Sequence, residues 1–143
     1  MTLVSLNDYK VKLDKVEKVL EELEEKAALG DIIIVEGKRD VASLKKLGIN
    51  GNIKTPNSRS LLNFIEGVER EQRNVVILTD WDNAGEELAI KMAKYLEHSS
   101  IDVDTNIRLR LKSLVKKEIK DIESIYSYVK KLESITNTNF KSY

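Results

Sequence analysis

The chain has no cysteine, one histidine and one proline among its 143 residues. Without cysteine, disulfides and thiolate metal sites are excluded. His98 alone argues against a zinc centre or serine–histidine catalysis. It falls late in a predicted helix, before Ser99-Ser100, where a helix end or surface welcomes a cation. Basic and acidic residues balance at 24 each. Net charge therefore announces no polyanion partner, and any such surface must be local. No apolar run approaches the ~20 residues of a membrane span. The N-terminus lacks the basic start, apolar middle and cleavage site of a signal peptide. The expected location is the cytoplasm, with no membrane partner. A chain of this length forms one domain with a sizeable core.

Two short blocks stand out: Val35-Glu36-Gly37-Lys38-Arg39-Asp40 and Leu78-Thr79-Asp80-Trp81-Asp82-Asn83-Ala84-Gly85. Each follows a branched apolar run, Ile32-Ile33-Ile34 or Val75-Val76-Ile77. Runs apolar at every position suit central strands of a parallel sheet, buried on both faces. Acids then sit where strands stop and loops begin, which is where open α/β sheets keep their chemistry. Gathered carboxylates repel each other unless a cation joins them, and hard divalent cations prefer oxygen ligands. The first expectation is a magnesium site, with manganese as an alternative.

The surrounding pattern fits that sheet. A helix is expected over 7–29, capped by Asn7 or Asp8, with Val16, Val19, Leu20, Leu23 and Ala27 on one stripe and Gly30 at its stop. Strands are expected at 31–36, 52–55, 74–79 and, as an edge strand, 101–104. Helices are expected at 40–47, from the Ser60 cap to about 71, and at 84–97. The last of these would turn Leu88, Met92, Tyr95 and Leu96 inward. This alternation implies right-handed crossovers and a mostly parallel sheet. In the tail, Ile107, Leu111, Leu114 and Val115 favour a helix capped by Thr105 over a strand with a basic face. A last helix is expected at 123–133, with a frayed end over 137–143.

Asp80 and Asp82 are two apart, so in an extended chain both side chains point to one side and reach one metal zone. Trp81 then points away into packing. Alone, this stretch also fits a turn with a helix cap. Gly85 lets the backbone come close at the next helix start, which with Asn83 and Ala84 would favour a phosphate. Glu36 can bind metal or act as general acid or base. Lys38 is a phosphate contact or a surface residue; Asp40 is a ligand or a helix cap. Asn57, Ser58 and Arg59 form a polar loop expected beside Glu36, suited to a phosphate or to an ordinary turn. Arg108, Arg110, Lys112, Lys116, Lys117 and Lys120 are the best candidates for a surface tracking a nucleic-acid backbone. A solvated helix face is the plain alternative.

Taken together, the two blocks resemble the Toprim domain shared by topoisomerases, bacterial-type primases, old-family nucleases, recombination mediators and the ribonuclease that matures 5S ribosomal RNA. The resemblance covers about residues 30–104, leaving an N-terminal helix over 1–29 and a basic, mostly helical extension over 105–143. It implies a compact α/β sheet of about four parallel strands with helices on both faces. It also implies Glu36 as general acid or base and Asp80 and Asp82 as magnesium ligands. The overall look is similar to small stand-alone Toprim proteins of archaea. The tyrosines of the tail sit on no separate gate-forming domain, so a topoisomerase is not expected. Without cysteine, the zinc module of a replicative primase is missing.

The expected activity is Mg²⁺-dependent action on phosphodiester bonds, most simply as an RNA-processing nuclease. The partner is then nucleic acid, RNA in preference to DNA, or a ribonucleoprotein. The alternatives are a non-catalytic RNA-binding module and a primase-related accessory protein. The sequence leaves the oligomeric state open.

Overall fold

A computed structural model describes residues 4–57 and 60–138. The elements run α1 (Leu6–Ala28), β1 (Ile32–Ile34), α2 (Lys38–Lys46), β2 (Ile53–Lys54), α3 (Leu61–Arg70), β3 (Val75–Ile77), α4 (Asn83–Leu96), β4 (Val103–Asp104), α5 (Asn106–Val115) and α6 (Ile125–Thr138). The four strands are parallel in the order β2-β1-β3-β4. The expected α/β sheet with an N-terminal helix and a helical tail is therefore present.

The branched runs specify the sheet's centre. β1 and β3 lie side by side, Ile32 opposite Val75 and Ile34 opposite Ile77. Alternate residues face opposite sides. Ile32, Ile34, Val75 and Ile77 join one core with Phe64, Ile65 and Val68 of α3 and Ala89, Met92 and Leu96 of α4. Ile33, Val35, Val76 and Leu78 join the other, with Val16 and Leu23 of α1, Leu44 of α2, Leu111 of α5 and Leu132 of α6. The segments flanking 30–104 thus supply most of the layer on one face. Tyr95, expected inside, is 44% exposed; the inner stripe of α4 runs through Ala89, Met92 and Leu96.

Helix ends differ from the expectation in two places. Ser5, not Asn7 or Asp8, caps α1: its side chain accepts the Asp8 N–H, and the Asp8 carboxylate accepts the Ser5 N–H. This reciprocal pair satisfies two otherwise orphaned donors. At α5, Thr105 makes no side-chain cap; Asp104 Oδ1 accepts the N–H groups of Asn106 at 2.8 Å and Ile107 at 3.0 Å. A carboxylate accepts two donors at once, which a threonine hydroxyl does less well.

Topology decides where chemistry can sit. The β1–α2–β2 crossover runs over one face, and α3 and α4 cover the other. The loops leaving β1 and β3 therefore diverge to opposite faces between adjacent strands. The resulting crevice lies at the carboxyl ends of the sheet's two central strands, the switch point where such sheets bind ligands.

Candidate metal and phosphate site

Glu36 and Asp80 meet in that crevice. Asp80's main-chain N–H donates to Glu36 Oε2 at 2.8 Å, and the Ile122 N–H donates to Asp80 Oδ1 at 3.0 Å. Burial pushes the Asp80 carboxyl up to about 6, the Ile122 hydrogen bond opposes this, and the charges of Glu36 and Asp121 add to it. Asp40 is also raised, first by burial and then by the charge of Asp80. Crowded, half-desolvated carboxylates raise each other's pKa in this way. An all-oxygen donor set of this kind suits a hard divalent cation.

Asp82 departs from the expected shared zone. It is exposed and serves as the N-cap of α4, its Oδ1 accepting the Gly85 N–H at 2.7 Å. The turn into α4 draws its side chain toward the helix start rather than onto Asp80. Among the described residues, no three acidic, histidine or cysteine side chains gather into a ready metal cage. The fit to a cation therefore rests on the Glu36–Asp80 pair.

Gly85 is placed for packing. Its amide donates to Asp82 Oδ1 at the start of α4. A Cβ at this position would lie 2.0 Å from the Asp80 carbonyl oxygen, closer than any real contact. Only glycine lets the first turn of α4 press against the end of β3. Thr79, fully buried, ties the same turn down by donating from Oγ1 to the Gly85 carbonyl at 2.7 Å.

Arg108 corrects the basic-surface expectation. It is 2% exposed. Its Nε donates to the Thr79 carbonyl at 2.9 Å, one terminal nitrogen to the Asp80 carbonyl at 2.7 Å and the other to Glu86 Oε2 at 2.7 Å. A planar fork fixing two successive carbonyls and a carboxylate is an internal strut. Arg110 is engaged too, both terminal nitrogens meeting the Glu22 carboxylate at 2.6 and 2.8 Å. The lysines remain. Lys112, Lys116, Lys117 and Lys120 line a groove of about 560 Å³ with Trp81, Asp82 and Asn83.

Asp40 accepts the Gly37 N–H at 3.0 Å from within the first turn of α2, as a helix-start residue does. Lys38 opens α2 and is exposed. Asn57 follows β2 with a left-handed φ of 53°, and its Oδ1 accepts the Thr55 hydroxyl at 2.7 Å. β2 is parallel to β1, so this loop leaves on the same side as Glu36. Ser58 and Arg59 lie outside the described residues.

The segment 119–123, from which the sequence pattern singles out only Lys120 as a basic residue and 123 as a helix start, has a structural role that the pattern does not signal. It straps the crevice: Trp81 donates from Nε1 to the Ile119 carbonyl at 2.7 Å and from its main chain to the Lys120 carbonyl at 3.3 Å. Ile122 is fully buried and contributes the amide that fixes Asp80. Asp121 adds its charge. Its only signal was an acid in a non-periodic stretch between two helices.

Fold and crevice together define a parallel α/β protein with acids paired across its switch point. A family profile for the Toprim domain matches residues 30–105. A UPF0292 protein of Methanosarcina barkeri is 48% identical over 130 residues, covering 91% of each chain. A UPF0292 protein of Pyrococcus horikoshii is 50% identical over 95 residues, covering 66% of this chain and 71% of its own. A solved protein from Aquifex aeolicus superposes with a TM-score of 0.64 at 31% identity, covering 76% of this chain and 96% of that one. The chain belongs to the Toprim domain family, in the small stand-alone form of the UPF0292 proteins. Toprim domains bind divalent metal ions and serve nucleic-acid transactions.

Proposed function

We propose that this protein is a Mg²⁺-dependent enzyme acting on nucleic-acid phosphodiester bonds, with RNA as its substrate. The observation that carries this reading is the Glu36–Asp80 pair, joined across the switch point by the 2.8 Å bond from the Asp80 amide to Glu36. Asp80 and Glu36 would hold the cation, with Asp82 within reach after a change of rotamer. Bound there, a divalent cation would stabilise charge developing on a phosphoryl oxygen. Glu36 has one oxygen fixed by the Asp80 amide, which presents its other oxygen to take or give a proton at the attacking or leaving group. Lys38, at the start of α2, and Asn57, on the loop after β2, would position the phosphate. Manganese would substitute for magnesium, since both take oxygen ligands. The cytoplasm suits such a role.

One observation favours a second reading, metal-dependent docking on RNA or a ribonucleoprotein without cleavage. Asp82 caps α4 instead of completing a three-carboxylate cage. The test offers labelled structured RNA, single-stranded DNA and duplex DNA with Mg²⁺ or Mn²⁺ to the wild type, Glu36→Gln and Asp80→Asn. Metal-dependent cleavage of RNA by the wild type, lost in both variants, is the expected result. Binding without cleavage under every condition would replace the first reading with the second.

A further inference from the structure

We propose that the lysine groove beside Asp82 holds the phosphate backbone of the nucleic acid, independently of base sequence. This deepens the phosphodiester reading, and rests on it only for the direction in which the strand then runs. Lys112 lies in the last turn of α5, Lys116 is its C-cap four residues on, Lys117 follows in the turn beyond, and Lys120 comes after that turn. Residues four apart share a helix face. Lys112 is shared with Glu86, 3.9 Å away. Among the described residues, Lys116, Lys117 and Lys120 have no acid within ion-pair distance, and all three are exposed. Three unpaired cations on one concave surface of a chain with zero net charge form a local field that selects anions.

The chemistry of the lining selects a backbone rather than bases. Lysine is a point charge without the planar fork that reads guanine edges. The aromatic ring lining the groove is Trp81, which is only 8% exposed and has its indole N–H fixed to Ile119. It therefore forms a floor, not a stacking platform. The groove is also fastened to the acidic crevice. Trp81 separates Asp80 from Asp82 in sequence, and its main chain donates to the Lys120 carbonyl. A strand lying in the groove passes Asp82 at the groove's acidic end and reaches the Glu36–Asp80 pair. The lysines come from residues 112–120, beyond the 30–105 Toprim match. The positioning of substrate is thus assigned to this chain's own C-terminal extension.

The test is binding of short labelled homopolymer RNA and DNA by the full chain in EDTA, at 50 to 200 mM salt. Working without metal separates it from cleavage. The variants are Lys116→Gln/Lys117→Gln/Lys120→Gln and, as a control, Lys94→Gln at the other end of α4. Each single-strand phosphate contact adds about 0.7 to the log–log salt slope. The triple variant is expected to lose about two units of slope, so wild-type affinity should fall about twentyfold more than the variant's across this salt range. Lys94→Gln should keep the wild-type slope. The proposal is overturned if the triple variant keeps that slope, or if the wild type binds no oligonucleotide at 50 mM salt. A preference above about tenfold for one base overturns sequence independence, and displacement by polyglutamate at equal charge would assign the groove to an acidic protein. Loss of slope in EDTA, together with no cleavage by the wild type when Mg²⁺ or Mn²⁺ is supplied, would sink the nuclease reading and leave this one standing.

Discussion

Glu36 Oε2 accepts the main-chain N–H of Asp80 at 2.8 Å, joining two residues 44 positions apart in sequence. The acid is therefore a structural clamp as well as a chemical candidate. Glutamine keeps an oxygen acceptor for that amide, and alanine does not. A part-buried N–H left without a partner costs about 1–3 kcal/mol. Glu36→Ala should lose stability on that scale in urea unfolding, while Glu36→Gln should unfold close to wild type. If cleavage is detected, both should lose it about a hundred- to ten-thousand-fold, the range of general acid–base catalysis. Equal unfolding midpoints for the two variants would show that the clamp contributes nothing.

The central strands and both acidic blocks were legible because burial on two faces forces uninterrupted branched residues, and the acids directly follow them. The strand–helix alternation then placed Glu36 and Asp80 at one switch point. Roles set by tertiary neighbours were not legible. Nothing in the spacing of Arg108 distinguishes it from Lys112, yet one is an internal strut and the other lines a groove. Asp80 and Asp82 share a parity that suggests one zone, but the turn into α4 draws Asp82 to the Gly85 amide. The strap at 119–123 has no periodicity, so its hold on Asp80 and Trp81 emerges only from the fold.

Gly85 should be irreplaceable for a steric reason. An added Cβ would sit 2.0 Å from the Asp80 carbonyl oxygen and 2.7 Å from its carbon, both main-chain atoms that cannot swing aside. Overpacking against rigid neighbours costs about 1–3 kcal/mol and sometimes more, so Gly85→Ala should cost about 3 kcal/mol or above. Gly67→Ala is the contrast. It lies inside α3, where the nearest atom to an added Cβ is the end of the Arg70 side chain at 3.6 Å. There the gain in helix propensity should stabilise the protein by up to about 1 kcal/mol. Urea unfolding of both variants checks the opposite signs.

Arg108 should act on activity through Asp80 rather than through substrate. Arg108→Lys offers one nitrogen where three now donate to Thr79, Asp80 and Glu86. Arg108→Met leaves the Thr79 and Asp80 carbonyls without their donor, at about 1–3 kcal/mol for each buried group left unpaired, while Glu86, 42% exposed, regains water. For Arg108→Lys under conditions where it stays folded, kcat should fall with KM unchanged, because the end of β3 is displaced. A raised KM at constant kcat would instead mark a residue that binds substrate in ground and transition state alike.

Asp104 should govern part of the acid sensitivity of the fold. Burial raises its pKa, but the hydrogen bond from Lys26 at 2.7 Å and those from Ile107 and Asn106 outweigh it, leaving the group below its ordinary value of 3.8. A carboxylate depressed on folding stabilises the native state above the unfolded pKa, and that stability disappears as pH falls through the folded one. Asp104→Ala removes both the Lys26 pair and the double cap of α5, and loss of a cap alone costs about 0.5–2 kcal/mol. The wild type should therefore exceed Asp104→Ala by a constant margin above about pH 5. The part of that margin due to charge should shrink below pH 3.8. Unfolding free energies measured from pH 7 down to pH 3 check this. A margin that widens toward acid would reverse the sign and remove the Lys26–Asp104 contact from the account of stability.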